Sequence, residues 1–253
     1  MPSLLPGLPL STLLLAALVI ALAYTVFGLS GFGAGIIALP LLAQFMPIRF
    51  AVPVLLLLDL CCGALIGLRH HSVIARDELK RLLPFAALGM LLGVTVLASA
   101  PQRWLLLALG LYTISITAWS LWGPATVRQI STAMAPPLGT AGGIFGALFG
   151  TGGPLYSAYL VRRIADKHQL RATTSAVVFS TGIVRLVMFL AIGLYAQPGL
   201  WQSALWLLPC ALAGFFVGSR VHARLPTRRV VQAVWALLLL SGASLVLRST
   251  VGA

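Results

Sequence analysis

Hydrophobic residues run in long blocks along this 253-residue chain, and short charged clusters separate one block from the next. A helix that crosses a membrane needs about 20 mostly apolar residues in succession. Eight blocks approach or exceed that length, and the connections between them are too short to hold a soluble domain. They cover residues 8–45, 48–68, 82–99, 103–122, 131–161, 171–195, 200–220 and 229–248. The pattern predicts an all-α polytopic membrane protein with a single transmembrane domain over residues 1–253.

Composition agrees with a lipid-facing surface. The chain is 60% hydrophobic and only 8% charged, whereas soluble domains carry about 25% charged residues. Its net charge of +13 comes from lysines and arginines between the apolar blocks, which favours topology control and anionic lipid over nucleic acid as the reason for the charge. Cys61, Cys62 and Cys210 lie inside apolar blocks without metal-ligand spacing, so we predict no metal and no cofactor.

The sequence repeats itself. Four positions recur 125 residues later, and the surrounding text agrees, with Leu-Leu-Pro-Phe-Ala-Ala-Leu-Gly at 82–89 matching Leu-Leu-Pro-Cys-Ala-Leu-Ala-Gly at 207–214. The four pairs are Pro84 and Pro209, Gly89 and Gly214, Gly93 and Gly218, and Pro101 and Pro226. We predict two related four-segment repeats, at about 8–122 and 131–248. Membrane transporters are often built in this way, with the substrate site between the repeats.

Membrane orientation stays open in the sequence. Eight simple crossings with both ends outside would leave ten basic residues inside and six outside, which favours that arrangement only weakly. The basic cluster at 69–81 opposes it. A re-entrant segment between 82 and 161 would instead bring the three large basic clusters to one side and invert the two halves.

Two glycine clusters interrupt the first and fifth blocks, which are both too long for one plain crossing. Glycine inside a helix costs about 1 kcal/mol relative to alanine, and proline suits the first turn of a helix better than its interior. Each block is therefore predicted to be a helix, a short unwound stretch and a half-helix. The clusters contain Ser30, Gly31, Phe32, Gly33 and Gly35 in the first block, and Gly150, Thr151, Gly152, Gly153 and Pro154 in the fifth.

These breaks have the chemistry of an anion site. The N-terminus of a half-helix presents unpaired N–H groups and the positive end of a helix dipole, and unwound backbone at membrane depth needs protein or a water-filled cavity around it. Glycine lets an anion approach the backbone, and the hydroxyls of Ser30 and Thr151 would add donors. We predict that the two breaks face each other across a substrate site. The alternative is close helix packing by small residues.

Asp59 and Arg185 are charges near the middle of apolar blocks. Asp59 follows Arg49 by ten residues, or about 15 Å of helix, and Arg185 follows Arg171 by fourteen, or about 21 Å. A charge at such depth costs roughly 2.5–3.5 kcal/mol on insertion scales and normally faces a cavity or the protein interior. Arg185 is predicted to bind the anion, with Asp59 as a counter-charge or proton carrier. The alternative is a structural ion pair that locks the halves together.

The chain resembles the TauE/SafE family of sulfite exporters. The resemblance covers nearly the whole chain and rests on Gly31-Phe-Gly33-Ala-Gly35 with Pro40, on Gly143-Ile-Phe-Gly146 through Gly150-Thr-Gly152-Gly153-Pro154, and on the four-plus-four layout. It implies a carrier in the bacterial cytoplasmic membrane for sulfite, sulfonates or other sulfur-containing or organic anions. It also implies coupling to an ion gradient, with protons as the expected ion.

Three other functions compete with a carrier. An anion channel would share the site, and a membrane scaffold would leave the mid-depth charges unexplained. Gly28-Leu-Ser30-Gly31 fits the Gly-x-Ser-Gly pattern of rhomboid proteases, but a serine nucleophile needs a positioned base. Every histidine lies near the end of a block, so we expect no enzyme activity.

Overall fold

The computed structural model describes residues 10–30, 34–67, 74–122, 130–221 and 238–249. Within these residues the chain forms ten α-helices and no strand, which confirms the predicted all-α class. The helices are α1 Leu10–Ser30, α2 Ala34–Leu42, α3 Ile48–Gly67, α4 Arg76–Ser99, α5 Gln102–Trp122, α6 Ala135–Phe149, α7 Gly153–Leu160, α8 Lys167–Ala191, α9 Leu200–Val221 and α10 Leu238–Ser249.

The fifth block is divided into a helix and a half-helix, as predicted. Helix α6 ends at Phe149, and α7 begins at Gly153 with Pro154 in its first turn. Gly150 adopts a φ of 70° at the break, a conformation that residues with a side chain rarely adopt. In the first block α1 ends at Ser30 and α2 begins at Ala34. Residues 31–33 lie outside the described part of the chain.

The outer surface of the helices suits lipid. Helices α1, α4, α8 and α9 are each long and apolar enough to cross a membrane, since about 20 apolar residues span the hydrocarbon core. Large apolar side chains point outwards from them, as shown by Leu205, which is 70% exposed, and Leu14, which is 64% exposed. The structure is therefore that of a polytopic membrane protein.

Hydrogen bonds show which helix ends share a face of the molecule. On one face, which we call the basic face, the N–H of Ala75 before α4 donates to the Oγ1 of Thr173 near the start of α8 at 2.9 Å. On the opposite face, the Nε of Arg49 at the start of α3 donates to the carbonyl of Leu97 near the end of α4 at 2.8 Å. Gln197, between α8 and α9, donates to the carbonyl of Arg49 at 3.0 Å.

Helices α6 and α7 form a hairpin that enters from the basic face and returns to it. Helix α6 runs parallel to α4. Gly139 near the start of α6 lies against Phe85, and Ala147 further along α6 lies against Gly93, which is also further along α4. Arg163, just after α7, donates to the carbonyl of Ile130 just before α6 at 3.3 Å. Both ends of this hairpin are therefore at the basic face.

Helices α1 and α2 form the matching hairpin from the opposite face. Helix α1 runs parallel to α9, since Gly214 packs against Ala21 and Gly218 against Thr25. Helix α2 runs back, since it leads through Gln44 to Arg49 at the start of α3, which lies at the opposite face. The guanidinium of Arg248 at the end of α10 donates to the carbonyl of Gln44 and so lies at this face too. The two hairpins thus penetrate the molecule from opposite faces.

Each hairpin packs on a helix of the other predicted repeat. Glycines allow this packing: a Cβ at Gly93 would lie 2.7 Å from the carbonyl oxygen of Ile144, and one at Gly28 would lie 2.8 Å from the backbone nitrogen of Ser219. Hairpin α6–α7 therefore pairs with α4, and hairpin α1–α2 pairs with α9. Two related halves would produce this arrangement, in which the hairpin of each half packs on a helix of the other half. The duplication itself stays a prediction.

A polar network anchors the outer end of α7 at the basic face. The buried carboxylate of Glu78 on α4 accepts hydrogen bonds from the hydroxyl of Tyr159 at 2.7 Å and from the Nη2 of Arg163 at 3.0 Å. Arg81 adds a third donor at 3.0 Å. Because α7 is only 8 residues long, this network fixes the direction in which its other end points.

Candidate functional site

The inner ends of the two half-helices meet at one cavity of about 70 Å³. This volume suits a few waters or one small ion. The structure brings eight of the predicted site residues to its wall, namely Gly35, Asp59, Gly150, Thr151, Gly152, Gly153, Pro154 and Arg185. Of the other four, Gly31, Phe32 and Gly33 lie outside the described residues, as does the side chain of Ser30 at the end of α1. Whether an anion binds here stays a prediction.

The backbones of the two broken segments touch beside the cavity. A Cβ at Gly35 would lie 3.0 Å from the carbonyl oxygen of Gly150. Such a distance leaves little room for a side chain. The glycines at these two positions therefore allow the half-helices α2 and α7 to approach the same point from opposite faces.

Arg185 is the buried cation of this cavity. It is 7% exposed and lies on α8, where its Nη1 donates to the carbonyl of Gly146 on α6. Its Nε has no hydrogen-bond partner within the described part of the chain. A buried guanidinium nitrogen without a partner costs free energy unless a ligand or water pairs with it. The guanidinium also lies 6.0 Å from the ring centroid of Phe189.

Gly150 makes room for the guanidinium of Arg185. A Cβ at this position would lie 3.3 Å from Nη1 and 3.9 Å from Nη2 of Arg185. The φ of 70° already favours glycine here. The residue therefore serves both the turn between α6 and α7 and the close approach of the charge to the break.

The turn between α6 and α7 leaves two backbone donors unused. The N–H groups of Gly150 and Thr151 donate to carbonyls of α6, at 2.9 Å to Gly146 and 3.4 Å to Phe145. Within the part of the chain that the structure describes, no hydrogen bond uses the N–H of Gly152 or Gly153. These two groups form the positive end of α7 and are the kind of donor that binds anions at helix N-termini.

Thr151 contributes in a different way from the predicted one. Its hydroxyl donates to the carbonyl of Phe145 at 3.4 Å, so this proton is engaged within the break. Its carbonyl accepts a hydrogen bond from the hydroxyl of Tyr112 on α5 at 2.8 Å. Tyr112 thereby holds the peptide that precedes the two unused N–H groups.

Asp59 faces the same cavity from α3. Its Oδ1 accepts a hydrogen bond from the buried hydroxyl of Tyr24 on α1 at 2.7 Å. No ion pair within 4.0 Å joins it to Arg185, and the ion pairs found among the described residues are those of Glu78 with Arg81 and Arg163. The structural ion pair considered above is therefore absent from this conformation, and both charges are directed to a shared space.

The rest of the cavity wall is apolar or carries hydroxyls. The apolar side chains come from five helices and are Phe27, Ala34, Leu56, Leu60, Met90, Val178 and Phe179. Tyr156 on α7 and both Ser175 and Thr181 on α8 add hydroxyls. Sequence analysis missed Tyr24, Tyr112 and Tyr156. A usable signal existed, because a tyrosine hydroxyl inside an apolar segment normally needs a partner.

A helical membrane protein with charges at mid-depth between two re-entrant hairpins has the architecture of a secondary transporter. The chain matches the family "Sulfite exporter TauE/SafE" over residues 16–245 and belongs to it. It is also similar to the "Probable inner membrane transporter protein TsaS" of Comamonas testosteroni, with 28% identity over 197 residues that cover 75% of this chain and 80% of that protein. No solved structure matches the chain.

Family membership confirms several predictions. The chain is a membrane transporter and not an enzyme, and the family to which it belongs is named for the export of a sulfur-containing anion. It is a multi-pass protein of the inner membrane, in agreement with the name of its relative. The anion, the coupling ion and the residues that bind them are matters for the proposal that follows.

Proposed function

We propose that this chain is a secondary transporter that exports sulfite, a sulfonate or another small sulfur-containing or organic anion. The observation that carries the proposal is a buried cation with an unpaired Nε, Arg185, beside the unused N–H groups of Gly152 and Gly153. All three donors belong to the wall of one cavity. In a site of low dielectric, such donors bind an anion more strongly than they would in water.

The first broken segment completes the proposed site. Gly35 lines the cavity beside Gly150, so an anion held by α7 would also lie close to the start of α2. In this proposal the first broken segment binds the anion from the other side, through Ser30, Gly31, Phe32 and Gly33. The anion would then lie between the two proposed repeats, as in other transporters with inverted halves.

Asp59 is the proposed proton carrier. A carboxylate at this depth is costly unless it is paired or protonated, and its one hydrogen-bond donor among the described residues is Tyr24. Binding of an anion to Arg185 would place negative charge in the cavity that Asp59 also lines, which favours the protonated carboxyl. Anion and proton occupancy would thus be linked, which is the requirement for coupled transport.

The basic face is the proposed cytoplasmic face. Among the described residues, eight lysines and arginines lie at helix ends of this face and three at the opposite face. The eight are Arg76, Lys80, Arg81, Arg162, Arg163, Lys167, Arg171 and Arg220, and the three are Arg49, Arg103 and Arg248. This imbalance supports cytoplasmic placement by the positive-inside rule.

The proposal is tested by uptake of radiolabelled sulfite into proteoliposomes, with and without an imposed pH gradient. We expect saturable uptake that responds to the gradient and is absent from liposomes without protein. Flux that does not saturate, together with single-channel conductance in planar bilayers, would instead identify an anion channel. Competition by unlabelled methanesulfonate and acetate would show which class of anion the site prefers.

A further inference from the structure

Tyr156 contributes a buried hydroxyl to the same cavity as Arg185 and the start of α7. It lies at the end of the first turn of α7 and is 2% exposed, and none of the described residues forms a hydrogen bond with its hydroxyl. Thr181 lies close to this hydroxyl, but it donates its own proton to the carbonyls of Val177 and Val178, so it could act toward Tyr156 only as an acceptor. Among the described residues, no group accepts the hydroxyl proton of Tyr156 in hydrogen-bond geometry, so this proton is available to a ligand.

Two glycines hold the ring of Tyr156 in its place. A Cβ at Gly142 on α6 would collide with the ring edge, and a Cβ at Gly152 would lie 2.9 Å from the opposite edge of the same ring. The ring is thus clamped between α6 and the unwound turn. Because neither glycine position has room for a methyl group, the position of the hydroxyl is fixed by the backbone on both sides.

The clamp places the hydroxyl near Arg185. A Cβ at Gly146 would lie 3.7 Å from the hydroxyl oxygen of Tyr156, and the carbonyl of Gly146 accepts the hydrogen bond from Nη1 of Arg185. The two side chains therefore converge on the same residue of α6. They come from different helices, α7 and α8, and so approach the cavity from different directions.

We propose that Tyr156 is a specificity-determining residue, whose hydroxyl binds the third oxygen of a pyramidal sulfur oxyanion. The inference rests on the proposed function. The guanidinium of Arg185, the N–H groups at the start of α7 and the hydroxyl of Tyr156 form three separate sets of donors. A sulfite ion or a sulfonate has three oxygens around sulfur and fills all three sets. A carboxylate has two oxygens and leaves one buried donor unpaired, which weakens its binding.

The test compares two tyrosines on one half-helix. Uptake of radiolabelled sulfite is measured in proteoliposomes, with methanesulfonate and acetate as competing anions of similar size, for the wild type and for Tyr156→Phe. We expect the ratio of the two inhibition constants, which favours methanesulfonate in the wild type, to fall by roughly tenfold in Tyr156→Phe. The control Tyr159→Phe loses a hydroxyl at the outer end of α7 and should keep the wild-type ratio.

A second measurement separates specificity from folding. The thermal midpoint of unliganded Tyr156→Phe should equal or exceed that of the wild type, because the substitution removes an unpaired buried hydroxyl. The midpoint of Tyr159→Phe should fall, since that hydroxyl donates to Glu78. A lower midpoint in Tyr156→Phe would mean that its hydroxyl has a structural partner, and would overturn the inference.

The outcomes distinguish the two proposals. Sulfite uptake with an unchanged inhibition ratio in Tyr156→Phe would overturn the role of Tyr156 and leave the proposed function intact. No sulfite uptake by the wild type, with no inhibition of any labelled anion by methanesulfonate, would overturn both. A wild-type protein that prefers acetate over methanesulfonate would also contradict the three-oxygen site.

Discussion

The two ends of the half-helix α7 differ in how their polar groups are paired. At the outer end the carboxylate of Glu78 accepts hydrogen bonds from Tyr159, Arg163 and Arg81. At the inner end the Nε of Arg185 and the hydroxyl of Tyr156 are buried and have no hydrogen-bond partner among the residues that the structure describes. Buried polar groups are nearly always paired in proteins, so the outer end is complete as it stands and the inner end lacks a ligand.

The difference indicates that stability and binding are separated along this half-helix. A network whose members are all paired holds an element in place, whereas unpaired donors favour whatever supplies acceptors. Substitutions at the outer end should therefore act on folding. Substitutions at the inner end should act on transport and leave folding almost unchanged.

The largest effect is expected for Arg185→Gln. Removing the buried charge should lower sulfite transport by roughly 100-fold or more, because hydrogen bonds to charged groups contribute about 1.5–3 kcal/mol each. The thermal midpoint should stay within a few degrees of the wild type. Radiolabelled uptake and a thermal melt of the same preparations check both parts, with Arg103→Gln as a control at an exposed arginine. Normal uptake by Arg185→Gln would contradict the assignment of anion binding to the inner end of α7.

Asp59→Asn should separate coupling from binding. The amide cannot release a proton, so accumulation of sulfite driven by a pH gradient should be lost, while exchange of labelled for unlabelled sulfite continues at a rate within about threefold of the wild type. Tyr24→Phe is the milder variant, because it removes the hydroxyl that donates to Asp59 and leaves the carboxylate. Gradient-driven accumulation by Asp59→Asn at the wild-type level would rule out this residue as the proton carrier.

Glu78→Gln should affect the outer end alone. The substitution removes the charge that holds Arg163 and Arg81, and we expect a loss of stability on the order of 2 kcal/mol. Transport per folded molecule should change by less than about threefold. The neighbouring exposed residue provides a matched control, Asp77→Asn, which should melt like the wild type. If Glu78→Gln melts normally but fails to transport, the outer end has a role in the transport cycle that the comparison does not assign to it.

Tyr112→Phe should have the smallest effect. Its hydroxyl holds the carbonyl of Thr151 at 2.8 Å, and a typical hydrogen bond of this kind contributes about 1 kcal/mol. We expect the apparent affinity for sulfite to weaken by about fivefold at an unchanged maximal rate, because the peptide beside Gly152 becomes less well fixed. A fall in maximal rate at constant affinity would point to a different role for this tyrosine.

The sequence predicts local features of this fold well. The breaks in the first and fifth blocks follow from the intrinsic cost of glycine and proline inside a helix. The structure confirms the break in the fifth block, whereas that in the first block lies at residues 31–33, outside the described residues. Asp59 and Arg185 were found because a mid-depth charge is expensive wherever it lies. These inferences need only the residue and its neighbours along the chain, so they do not depend on how the helices pack.

Features that depend on packing could not be predicted. The network around Glu78 joins residues 81 and 85 positions apart, and the availability of the hydroxyl of Tyr156 depends on which helices surround it. The sequence also left membrane orientation open, because the count of basic residues changes when a hairpin returns to its own face. Two hairpins from opposite faces bring most of the described basic residues to one face, which supports the proposed orientation.

The most direct test of an anion site at the inner end of α7 is the thermal midpoint of the purified protein as sulfite is added. Binding to the folded state at 100 times the dissociation constant stabilises it by about 2.7 kcal/mol. The midpoint of the wild type and of Glu78→Gln should rise with sulfite concentration, the latter from a lower starting value. That of Arg185→Gln should not respond. An equal rise in Arg185→Gln and the wild type would contradict an anion site at this end of the half-helix.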